Sequence, residues 1–132
     1  MKFITKTALL ILAIFTIQTT YAQKTEWKEL KTFHSVMSKS FHPSEEGNLQ
    51  PVKDNAADLV AKAKAWQASA IPADYNQTET KKVLADLVVK CQEIEKAVAT
   101  KKSDADLKKL IHEAHEVFHQ IVEKCHKPEE KK

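Results

Sequence analysis

The chain has 132 residues, with 21 lysines, no arginine and 18 acidic residues, for a formal charge of +3. The missing arginine removes the bidentate fork that reads bases and phosphates, and the weak basic balance leaves no electrostatic footprint for nucleic acid. Residues 1–22 read as a secretory leader, with Lys2 and Lys6 ahead of an apolar run from Ala8 to Ile17 that is too short to span a bilayer. Thr20 and Ala22 stand at the −3 and −1 positions of a cleavage site after Ala22. No cysteine follows the run to take a lipid and no later stretch approaches membrane length, so a product without a membrane span, periplasmic or secreted, is expected. Cleavage leaves 110 residues from Gln23 to Lys132, enough for one core, and a charge of +1.

Four helix-favouring runs, punctuated by Gly47, Pro43, Pro51, Pro72 and Pro128, follow in order. The first, from about Thr25 to Phe41, carries Trp27, Leu30, His34, Met37 and Phe41 at three- and four-residue spacing and is expected to end at His42-Pro43. The second, from about Leu49 to Ser69, has Pro51 in its first turn and a stripe of Val52, Ala56, Leu59, Ala63 and Trp66. Asn76 and Glu79 have capping-box spacing at the start of the third, whose apolar face runs through Leu84, Leu87, Val88, Cys91, Ile94 and Val98. Ser103 and Asp106 repeat the spacing before the fourth, with Leu107, Ile111, Ala114, Phe118, Ile121 and Cys125 in line. Comparable lengths and short connections predict an all-α, up-down-up-down four-helix bundle over residues 23–127, followed by a disordered Lys/Glu-rich tail at 128–132. In that topology Cys91 and Cys125 differ in height by more than about 15 Å, too far for a disulfide.

All six histidines fall on two helices: His34 and His42 on the first, and His112, His115, His119 and His126 on the fourth. His115 and His119, at i and i+4, can aim both imidazoles at one ion. Antiparallel pairing of the two helices sets His34 level with about Val117 and Met37 level with about Ala114. The expected metal set is His34, Met37, His115 and His119, with His42 and His112 as a possible addition nearer the other end. Imidazole with thioether suits copper, and imidazole alone suits zinc, nickel or haem iron. The stretch His115-Glu116-Val117-Phe118-His119 matches the zinc-protease pentapeptide, but one small bundle provides no strand-edged substrate cleft, and no nucleophile with a positioned base is present. A non-enzymatic role is expected. Glu116 and His119 also match one half of a Glu-x-x-His di-iron site, without its second half.

On these residues the chain resembles the four-helix cytochromes of the b and c-prime types. The Val117-Phe118-His119-Gln120 stretch is similar to the surroundings of the b-type haem histidine, which implies His119 as one axial ligand and Met37 or His34 as the other. Val122-Glu123-Lys124-Cys125-His126 is similar to the c-prime Cys-x-x-Cys-His with Val122 in place of the first cysteine, which implies at most one thioether, to Cys125, and His126 as an iron ligand. Three readings follow: a transition-metal protein of the copper or zinc class, a haem protein for electron transfer, and a cofactor-free interaction bundle.

Overall fold

The computed structural model describes residues 26–128; the expected leader and all of the expected tail except Pro128 lie outside them. Four helices, α1 (Lys28–Glu45), α2 (Gln50–Ala68), α3 (Gln77–Ala99) and α4 (Asp104–His119), form the expected all-α bundle. Sequential neighbours pack against one another and α1 closes against α4, leaving the diagonal pairs apart. Each boundary has a local cause. Asn76 accepts from the Glu79 backbone N–H at 3.0 Å, and Ser103 accepts from that of Asp106 at 3.2 Å, so both expected caps close orphan donors at a helix start. α1 has no side-chain cap. Its start is held from outside, by the buried Trp27 indole N–H donating to Ser69 Oγ at 2.9 Å.

α1 runs one turn further than expected, through Pro43 to Glu45. Pro43 lies in the last turn, where it removes one N–H bond of the ladder but breaks no turn beyond it, and the helix closes just after. Asn48 N–H reaches Pro43 O and Gly47 N–H reaches Ser44 O, both at 3.0 Å, with Gly47 at φ 84°. This is a Schellman closure, and it requires the left-handed conformation that glycine adopts without strain. α3 closes in the same way: Lys102 N–H to Ala97 O at 2.9 Å and Lys101 N–H to Val98 O at 3.1 Å, with Lys101 at φ 55°.

The core holds Phe33, Met37, Leu59, Trp66, Leu84, Leu87, Ile94, Leu107, Ile111 and Ile121, all almost wholly buried. Trp27, Trp66, Phe33 and Phe118 form a chain of ring contacts with centroids 5.5–6.0 Å apart. The fourth helix departs from the expected form at its end. After His119 the chain widens into a π turn, Gln120–Lys124, and then lies across the α2–α3 loop. Asn76 N–H bonds Cys125 O and Lys127 N–H bonds Asp74 O, both at 2.8 Å. His126 Nε2 stands 3.0 Å from Asp74 Oδ2, and the π turn is what turns Cys125 and His126 toward that loop. Cys91 and Cys125 are free, buried thiols. Cys125 is level with Asn76, and Cys91 lies fifteen residues along α3, about 22 Å away along the helix axis. No helix among the described residues is long and apolar enough to cross a membrane.

Candidate metal centre

Five of the six histidines, His34, His42, His112, His115 and His119, lie along the α1–α4 seam, the least closely packed of the four. Two phenylalanines organise them. His115 stacks on Phe41 with ring centroids 3.7 Å apart and planes within 8°. His34 stacks on Phe118 at 5.0 Å and 5°, one residue from the level expected for it. His42 and His112, the expected second pair, each lie against Phe41, with ring centroids 5.6 and 6.1 Å from it. Phe41 and Phe118 are both nearly buried and fix the imidazole planes from beneath.

Only His115 and His119 meet nitrogen to nitrogen, with 3.2 Å between their Nε2 atoms. Glu123, one turn beyond His119, sets the tautomer. Its carboxylate lies 3.0 Å from His119 Nδ1 and, as an acceptor, draws the ring proton to Nδ1, leaving the Nε2 lone pair free. His115 Nε2–H then points at that lone pair, and His115 Nδ1, buried without a partner, carries no proton. Burial first, and the neighbouring His119 second, hold the His115 imidazole below its ordinary pKa, with Glu116 opposing. A neutral His115 is the form that binds metals.

Other expected ligands lie elsewhere. His34 faces solvent, which corrects the expectation that it looks into the bundle interior, whereas Met37 is wholly buried in the core as its place on the apolar stripe implied. The inward stripe of α1 is Phe33, Met37, Ser40, Phe41 and Ser44. Phe33 takes the inward position and turns His34 outward, because burying a phenyl ring is favourable and burying an unpaired imidazole is costly. The residues implied for haem separate as well: Cys125 and His126 belong to the clasp on the α2–α3 loop, and His126 is engaged with Asp74. Burial pushes the Cys125 thiol up, away from the thiolate that metal ligation uses. Among the described residues, no group of three or more His, Cys, Asp or Glu side chains converges as a metal set. Glu123 and the two ring platforms were not expected from the sequence; their signals are the i+4 step from His119 to Glu123 and the aromatic residue next to each histidine in Phe33-His34, Phe41-His42 and Phe118-His119.

Family models, curated proteins and solved structures were each compared with the chain, and none matches.

Proposed function

We propose that this chain is an exported metal-binding bundle that takes up one transition-metal ion, of the copper or zinc class, on Nε2 of His115 and His119. The observation that carries this reading is the 3.2 Å separation of the two nitrogens, in a pair already oriented by Glu123 and Phe41. Nitrogens at that spacing, each about 2.0–2.1 Å from an ion, subtend about 100° at it, near the tetrahedral value and wider than a square one. Taking up the ion requires the His115 proton to move from Nε2 to Nδ1, so that both Nε2 lone pairs are free to face it. The ring positions and the His119 tautomer are set beforehand, which removes part of the ordering cost of binding.

Thermal unfolding with and without copper, zinc, nickel or haem tests the reading, because a ligand of the native state raises the melting temperature. One ion at about 100 times its Kd stabilises the fold by about 2.7 kcal/mol. We expect that shift with copper or zinc, its loss in His115→Ala and in His119→Ala, its persistence in His126→Ala, and its decline at acid pH as protons compete with the ion for the imidazoles. A shift that survives both site variants, or none with any ion, overturns the reading; stabilisation by haem alone would move the protein among haem carriers.

A further inference from the structure

Two imidazoles supply half of a tetrahedral coordination shell, and no third His, Cys, Asp or Glu joins them among the described residues. We propose that the ion held by His115 and His119 is completed by the same pair from a second copy of this chain, so that the protein forms an ion-bridged two-fold dimer through the outward face of α4. This rests on the metal reading above.

Three observations support a second copy as the occupant. The first is access: the His119 side chain is 41% exposed, and His112, Glu116 and Glu123 around it are more than half exposed, so no bulky neighbour covers the ion's open side. The second is that an i, i+4 pair on one helix is self-complementary across a two-fold axis through the ion, where each copy offers the same two nitrogens. The third is charge. The carboxylates of Glu116 and Glu123 lie beside and after the pair, while Lys108 and Lys109 lie further back on α4 with Asp104, Asp106 and Glu113. Tetrahedral coordination by two such pairs sets the two N–ion–N planes at right angles, so the helices cross steeply at the ion. There the Glu116 and Glu123 carboxylates of both copies favour a cation, and the near-neutral chain adds little general repulsion.

Sedimentation velocity of the purified protein, titrated with zinc from zero to three equivalents and run alongside calorimetry for stoichiometry, separates the possibilities. We expect the dimer to peak near half an equivalent of zinc per chain and to revert with EDTA. It should also decline in excess zinc, where each pair takes an ion of its own. His119→Ala and His119→Gln should abolish it while circular dichroism shows the helices intact, and His34→Ala should leave it unchanged. Saturation at one ion per chain with a monomer throughout overturns the dimer and leaves the metal reading standing. A dimer that persists in the His119 variants also overturns it, and no zinc uptake at all overturns both.

Discussion

Burial decides what each reactive side chain along this bundle can do. Cys91 is wholly enclosed, and that burial pushes its thiol up from 9.0 to about 12. The unfolded chain releases this proton near 9 while the folded one retains it, so the unfolded state binds fewer protons between those values and stability falls as pH rises through them. Denaturant unfolding at pH 8, 9 and 10 should therefore show a steeper loss for the native protein than for Cys91→Ala, and at pH 8 a thiol reagent should reach Cys91 only on unfolding. Equal slopes would contradict the burial account. The same balance works on imidazoles: His115, half-enclosed and stacked on Phe41, is held in its neutral form, the one that can share an ion with His119.

Helix ends show where local chemistry and tertiary structure each prevail. Asn76, Ser103 and Gly47 announce their boundaries in the sequence because their side chains, or the lack of one, meet a backbone need within four residues. Lys101 does not. It takes the same left-handed position as Gly47, and it is held there by the Lys102 and Lys101 closure onto Ala97 and Val98. Lys101→Gly should thus stabilise the protein by about 1 kcal/mol, and Gly47→Ala should destabilise it by a similar amount, both read from denaturation midpoints. The rotation of α1 was legible only to about one residue. Trp27, Met37 and Phe41 are inside as expected, but the choice between Phe33 and His34 depends on the relative cost of burying each ring, which spacing alone does not encode. The π turn after His119 was hidden for a related reason: Phe118, Ile121 and Cys125 have ordinary α-helical spacing, and the clasp onto Asp74, Tyr75 and Asn76 that widens the turn is a long-range contact.

For the molecule as a whole, antiparallel packing of consecutive helices brings the first and last together, and that alone delivers His34, His42, His112, His115 and His119 to one seam. Fold class, helix order and the level of α1 against α4 followed from periodicity and connection length. The ligand set did not, because reading both helices by height leaves their rotation open, and rotation is what sends Met37 inward and His34 outward. What remains is the His115–His119 pair, supported by Glu123 on one side and Phe41 beneath. The most direct test of that centre is a long-range proton–nitrogen NMR spectrum of the histidine rings, recorded as zinc is added to the metal-free protein. The account predicts that the Nε2 resonances of His115 and His119 move together and saturate before any other, with His119 Nδ1 still protonated and His126 unmoved. First movement at His126, or no preference among the six histidines, would contradict it.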